Sequence, residues 1–485
     1  MPPANNHHRP PLTQNKLLTV CPACVVWPPF IFLHSYFPDG LLHFLDAQWH
    51  GVVFNQCISS TRACVKKRLA EKEGPAVGLL LGKKVVDLNI RLKRLRMADG
   101  RVVVYDKCLL ATGGSPKNLE VFEDAPESIK EHVNLFRTAA DFRRLESVVQ
   151  GAKRVAVIGG GFLGSELAVA MAHRGKVSGL DVTQIYPEHG NMAKVVPEYL
   201  SEWSSDRVRD TGVTTVPNAR VTGVSKTKMK PGNPTGKAPI TLHLSTGKTV
   251  EVDEIVVAVG ISPNTELAEK ARLEIDPIQG GILVNSELEA RSDVFVAGDV
   301  ASFFDATLGR RREEHHDHAV VSGRLAGANM AGARNTYTHQ SMFWSDLGPK
   351  IGYEAIGIVD SNLPTVGVWA AATEQDTPKA AVEEGNNIRA GEGSSDASSG
   401  SPSSSSGPDE TPASLSEAQG YGKGVVFYMR DKRVVGMLLW NVFNKIPIAR
   451  KIIRSDRQYA NPSELARLFK LHESAAEGEA DAEAE

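Results

Sequence analysis

Arg154-Val155-Ala156-Val157-Ile158, followed by Gly159-Gly160-Gly161-Phe162-Leu163-Gly164, is the stretch on which the fold turns. The first five residues are an apolar run of strand length, and Ser165 to Ala172 suits a helix. A G-x-G-x-x-G pattern between a strand and a helix is the fingerprint of a dinucleotide-binding βαβ unit. Gly159 permits the tight turn. Gly161 lets a pyrophosphate approach the backbone, and Gly164 lets helix and strand pack closely. The start of the helix offers unpaired N–H groups and positive potential to the phosphates.

The chain on either side fits this unit. Val182 to Tyr186 reads as the next strand and leads to Glu188, placed to accept hydrogen bonds from an adenosine ribose. An acid there favours NAD over NADP, and Lys194 can balance its charge. Glu251 to Val259 reads as one long apolar strand closing on Gly260. Upstream, Lys83–Ile90, Arg101–Tyr105 and Lys107–Ala111 read as strands, with Asp99-Gly100 as a turn. The last runs into the small, Gly-rich stretch Thr112 to Pro116, expected to be a crossing between two nucleotide-binding domains. Residues 293–299 form another strand ending in Gly298-Asp299. A carboxylate there can hold a flavin ribityl hydroxyl or cap a helix. A helix is expected over His315–Ala331, where His315 and His318 share a face and His316 points elsewhere, too few ligands for a metal centre. Past Ser341 the pattern becomes α+β, with a hairpin of Gly424–Met429 and Val434–Trp440 around residues 430–433.

The 485 residues suggest about three domains, and 41% hydrophobic with 23% charged residues exclude a collagen-like, disordered or membrane-spanning chain as the main reading. The net charge of −2 conceals a basic body, because Glu473–Glu485 and residues 371–420 carry an excess of acids. The latter segment, rich in Ser and Gly, reads as a flexible insertion. Candidate bases for a polyanion are Lys66, Lys67, Arg68, Lys83, Lys84, Arg94, Arg310, Arg311, Arg312, Arg450, Lys451 and Arg454, with a solvated surface as the plainer alternative. Five cysteines without regular spacing argue against a disulfide framework, and Cys21-Pro22-Ala23-Cys24 lacks the context of a redox motif. The apolar run Cys24–Phe37 is short and broken by Pro28 and Pro29, so no membrane span is expected.

Longer strings narrow the reading. Ile158–Ala168, Gly309–Gly327, Gln340–Pro349, Gly422–Val426 and Trp440–Ile453 resemble the apoptosis-inducing factor family of mitochondrial flavoproteins, over about residues 77–470 and a short piece near Arg9. The resemblance implies an α/β, glutathione-reductase-like fold: two Rossmann-type nucleotide-binding domains and an α+β C-terminal domain. It divides the chain into an FAD-binding domain (1–114 and 262–341), an NAD-binding domain (115–261) and a C-terminal domain (342–485). It implies slow oxidation of NADH through FAD with a long-lived charge-transfer complex, and a role in respiratory-chain biogenesis in the mitochondrial intermembrane space beside an import/assembly protein. It also implies movement to the nucleus on a death signal, with binding of double-stranded DNA without sequence preference, and a homodimer on reduction. Glu274, Arg291 and Arg310 match the dimer surface, but Leu283 stands where an Arg is expected.

By position, the resemblance gives flavin contacts to Arg9, Val85, Arg137, Asp299, His315, His316 and Trp344. It gives NAD(H) contacts to Gly160, Gly161, Phe162, Leu163, Glu188, Lys194, Gly260, Glu314, His315, Trp344 and Glu354. Phe162, Glu166 and Trp344 would stand at the reacting rings. The family's first FAD glycine turn has no counterpart, since no glycine precedes Gly40, and its lysine partner for the carboxylate matched by Glu166 aligns with Gln14, with Lys16 displaced. The expectation is a shortened FAD domain with weakened flavin affinity and no convincing import signal. The alternatives are a redox-inactive DNA- or polyanion-binding effector and a disulfide reductase on the same fold.

Overall fold

The computed structural model describes residues 80–226, 239–373, 375–383 and 421–471. Arg9, Gln14, Lys16, Cys21, Cys24, Lys66, Lys67, Arg68, the region of the first FAD glycine turn, most of the 371–420 segment and the acidic tail lie outside the described residues.

A five-stranded parallel sheet occupies the centre, in the spatial order Val133–Leu135, Glu254–Val257, Arg154–Ile158, Asp181–Ile185 and Thr214–Val216. Alternate residues of Arg154–Ile158 serve two cores: Val155 and Val157 face one, Ala156 and Ile158 the other. Such two-sided burial explains an unbroken apolar run without polar alternation. Helices Phe162–Ser178 and Glu198–Asp210 make the crossovers. Beyond the latter, Val221–Lys226, Ile240–Leu244 and Thr249–Val252 form an antiparallel sheet.

Before and after this unit lies a second layer system. Val85–Asn89, Arg94–Met97 and Val102–Val104 form an antiparallel meander. Cys108–Leu110 pairs in parallel with Val294–Val296, although about two hundred residues separate them in sequence. The two segments that connect the layers, Gly114–Pro116 and Ile261–Pro263, pair antiparallel side by side. The last unit is a five-stranded antiparallel sheet in the order Met342–Asp346, Gly352–Gly357, Arg433–Trp440, Lys423–Arg430 and Thr365–Ala370. Helix Ile446–Arg454 packs on it.

The structure corrects four local expectations. Glu251–Val259 is not one strand; it breaks at Asp253 into Thr249–Val252 and Glu254–Val257, which belong to different sheets. The Asp253 carboxylate accepts from the backbone N–H groups of Lys153 (2.9 Å) and Arg154 (3.0 Å), so it holds the kink. His315 is the N-cap of helix His316–Met330, so it does not share a helical face with His318. The basic run 310–312, offered above among the bases for a polyanion, lies in a strand where Arg311 pairs with Glu313 (2.6 Å) and Arg312 with Glu314 (2.7 Å), which withdraws both from any polyanion surface. The 371–420 segment begins in order: Asp376 accepts from Thr373 and pairs with Lys423 (3.1 Å), and Pro378–Glu383 is helical.

Candidate dinucleotide and flavin site

A cavity of about 490 Å³ opens at the carboxyl ends of the parallel strands. Residues 159–162, Glu188, Lys194, Arg220 and Gly260 line it. Gly159 has φ +123°, and a Cβ there would lie 2.2 Å from the Ala258 carbonyl oxygen. A Cβ on Gly164 would lie 2.2 Å from the Gly159 oxygen, so this glycine permits the close approach of helix to turn. Gly161 is different. Among the described residues nothing lies within 4 Å of its would-be Cβ, and it is the N-cap of helix Phe162–Ser178. The first-turn N–H groups thus meet open space, the requirement for a phosphate.

Glu188 and Lys194 face each other across the cavity wall at 2.9 Å. Glu188 is 21% exposed and Lys194 82%, so the carboxylate is the fixed partner and the ammonium the one that can yield to a ribose. Gly260 (φ +101°) also leaves room where a side chain would stand.

At the inner end of the glycine helix the C-terminal sheet closes in. The Phe162 ring meets Phe343 edge-on at 5.2 Å and Tyr353 at 5.5 Å. His315 stacks on Phe343 at 4.4 Å, and His316 meets Trp344 at 6.3 Å. Glu354 is buried opposite Trp344 in the strand register. Glu166, one turn into the helix, accepts a short hydrogen bond from the Ser345 hydroxyl. Burial, with the nearby Asp346 charge, pushes the Glu166 carboxyl up to about 8 although Ser345 pulls it down. It is therefore protonated at neutral pH. Burial also pushes His315 down to about 4, so its ring is neutral there.

The charged half of the site is a chain of ion pairs. Arg137 and Asp299, both buried, form a short pair. Arg312 donates to the Asp299 backbone carbonyl (3.2 Å) and pairs with Glu314. Burial raises the Asp299 and Glu314 carboxyls, against the pull of Arg137 on the first and Arg312 on the second. Arg137 Nε and His315 Nδ1 are buried without a hydrogen-bond partner among the described residues. These orphaned polar atoms, beside neutral aromatic faces, fit the acceptor-rich ring and phosphates of a flavin nucleotide.

The structure thus gathers Phe162, Glu166, His315, His316, Trp344 and Glu354 around one junction, and Gly160, Gly161, Glu188, Lys194 and Gly260 around the cavity. Leu163 packs beside the core that Val155 and Val157 face, and Val85 stands apart in the core of the layer that pairs Cys108–Leu110 with Val294–Val296. Sequence reasoning missed Phe343, Ser345 and Arg220. Phe343 and Ser345 lie within Gln340–Pro349, but only the pairing of Met342–Asp346 turns them toward the glycine helix.

Comparison with known proteins agrees with this geometry. Residues 38–323 match the family model "Pyridine nucleotide-disulphide oxidoreductase", and residues 326–455 match "Apoptosis-inducing factor, mitochondrion-associated, C-term". A mitochondrial apoptosis-inducing factor 1 of Drosophila melanogaster is 45% identical over 82% of this chain and 53% of its own length. That of Dictyostelium discoideum is 38% identical over 81% of this chain and 65% of its own. The chain therefore spans between half and two thirds of the length of these relatives. A ferredoxin reductase structure from Rhodopseudomonas palustris superposes with a TM-score of 0.60 at 23% identity, covering 80% of this chain and 79% of that one, which speaks to fold alone. The chain belongs to the pyridine nucleotide-disulphide oxidoreductase family and carries behind that region the C-terminal domain of the apoptosis-inducing factors.

Proposed function

We propose that the chain is an FAD-dependent NADH oxidoreductase of the apoptosis-inducing factor type, with the domain limits and contact residues given above. The supporting observation is the junction where Phe162 and Glu166 of the glycine helix meet Phe343 and Ser345 of the C-terminal sheet. His315, whose buried Nδ1 has no hydrogen-bond partner among the described residues, stacks on Phe343 at this junction. Bound FAD would supply acceptance of a hydride from NADH. The chain's own residues do the rest. Gly161 and the helix start bind the pyrophosphate, Glu188 takes the ribose, and Phe162 with Phe343 walls the rings from water. Arg137, through its free Nε, would hold the flavin side, and Glu166 keeps a proton at the ring edge without placing a negative charge there.

The family further suggests residence in the mitochondrial intermembrane space, support of respiratory-chain biogenesis through an import/assembly protein, a reduction-dependent homodimer, and nuclear DNA binding in caspase-independent cell death. A second reading, a redox-inactive polyanion-binding effector, draws on the exposed Lys84, Arg94, Lys451 and Arg454. One preparation separates the two. FAD is added, excess is removed by gel filtration, and NADH is titrated anaerobically. Bleaching of the flavin band with growth of a long-wavelength band is expected. Retained flavin that NADH does not bleach overturns the oxidoreductase. No retained flavin, with duplex DNA retardation that falls steeply with salt, favours the effector.

A further inference from the structure

Between the glycine loop and the loop carrying Lys194 lies a buried polar cluster whose members lie behind the cavity wall rather than lining it. Its members are Ser165, Gln184, Tyr186, Asn191, Ser201 and Ser205. Asn191 is the hub. Its side-chain nitrogen donates to Ser165 Oγ (2.8 Å) and to Gln184 Oε1 (2.9 Å). Its side-chain oxygen accepts from the Tyr186 hydroxyl (2.9 Å). Its backbone N–H donates to Ser205 Oγ (2.8 Å), and its carbonyl accepts from Ser201 Oγ (2.7 Å). Every polar atom of this one residue is therefore paired, at zero exposure. A burial so costly is kept only where the network is complete.

The cluster and the residue beside its hub reach the glycine loop three times, the first through the Ser165 hydroxyl, which donates to the Gly160 carbonyl (3.3 Å). Gln184 donates to the Gly159 carbonyl (2.9 Å), and Met192, the next residue after Asn191, donates its N–H to the Gly160 carbonyl (2.7 Å). On its other side the chain runs from Asn191 to Lys194, the partner of Glu188. Tyr186 closes the figure: its ring lies where a Cβ on Gly160 would be, 2.7 Å away, while its hydroxyl holds Asn191. Three separate segments that a dinucleotide must bridge are thus fastened to one amide. These are the phosphate turn, the ribose-binding strand end and the lysine loop.

The geometry points to Asn191 as a positioning residue for the adenosine–pyrophosphate half of the cofactor. It fixes the distance from the open N–H groups after Gly161 to Glu188 and Lys194. This inference rests on the dinucleotide reading of the cavity. Removing the amide leaves Gly161, Glu188 and Lys194 in place chemically but frees them from one another, so binding should weaken through lost preorganisation.

The test is calorimetric binding of ADP-ribose, which carries the adenosine and pyrophosphate but no nicotinamide, to the full chain and three variants. Asn191→Ala is expected to weaken binding about tenfold, and Tyr186→Phe, which removes a single hydrogen bond from the hub, about threefold. Ser204→Ala is the control, because Ser204 is equally buried on the helix that carries Ser201 and Ser205 but, among the described residues, bonds only to the Leu200 carbonyl (2.6 Å). It is expected to lower the melting temperature and leave ADP-ribose affinity unchanged. Unaltered affinity in both Asn191→Ala and Tyr186→Phe overturns the inference. So does an equal loss of affinity in Ser204→Ala, which would mark a general loosening. If Asn191→Ala does not fold, Tyr186→Phe against Ser204→Ala decides alone. A wild-type chain that does not bind ADP-ribose overturns the dinucleotide reading itself, and the inference with it.

Discussion

At the scale of single residues, the distinctive group is Glu166. A carboxyl on a helix is ordinarily ionised at neutral pH. Here desolvation by the C-terminal sheet, reinforced by Asp346, outweighs the hydrogen bond from Ser345 and lifts it from 4.5 to about 8. A group whose folded value is raised binds its proton more tightly in the folded chain than in the unfolded one. It contributes stability that is complete below pH 4.5 and is lost as the pH rises toward 8. Glu166→Gln keeps the acceptor for Ser345 and cannot ionise. Its melting temperature should therefore gain on that of the wild type from about pH 5 to about pH 8, measured side by side in the same buffers. A difference that stays constant across the range would show that the carboxyl is ionised in the folded chain. The family resemblance could mark Glu166 within the glycine helix. It could not supply Ser345, which comes from a strand 179 residues away.

At the scale of elements, the glycine turn shows how much of the site was legible and why the rest was not. The strand Arg154–Ile158, the turn and the start of the helix follow from local pattern, because the three glycines of the motif fall within six residues between an apolar run and a helix-compatible stretch. The structure adds that these constraints are unequal. Gly164→Ala must push the new methyl into the Gly159 carbonyl, and a shift of backbone against backbone costs about 1–3 kcal/mol. Gly161→Ala meets nothing within 4 Å and has an ordinary backbone, so its melting temperature should stay close to wild type. Its methyl would instead fill the space left for a pyrophosphate, and ADP-ribose binding should fall by about tenfold or more. Denaturation and calorimetry on the pair separate the two roles; equal stability losses would refute the distinction. By contrast, the break at Asp253 was illegible. The run from Glu251 to Val259 contains no glycine or proline before its end, and the carboxylate that interrupts it is answered by Lys153 and Arg154, a hundred residues earlier.

At the scale of the molecule, the cores do not follow the order of the chain. One continuous apolar cluster joins a face of the parallel sheet, through Val155, Val157 and Leu167, to the C-terminal sheet, through Phe427, Leu438 and Trp440. The layer built on Cys108–Leu110 and Val294–Val296 has a core of its own. The seam of the shared core is aromatic. Trp203, on helix Glu198–Asp210, meets Trp440 at 5.9 Å and Tyr421 at 6.2 Å, and Trp440 stacks on Tyr353 at 5.3 Å. Trp203→Ala removes the contact from the nucleotide side and should cost about 2 kcal/mol, less than a fully buried tryptophan because Trp203 is only partly buried. Because the core is common, the loss should appear in both of its halves. Hydrogen exchange should quicken in Arg154–Ile158 and in Lys423–Arg430 together, while Cys108–Leu110 keeps its protection. Exchange that quickens in only one of the first two strands would mean that the sheets open independently. The wall around Phe162 and Phe343 would then be a contact between separate bodies, rather than part of one cooperative core holding the site in shape.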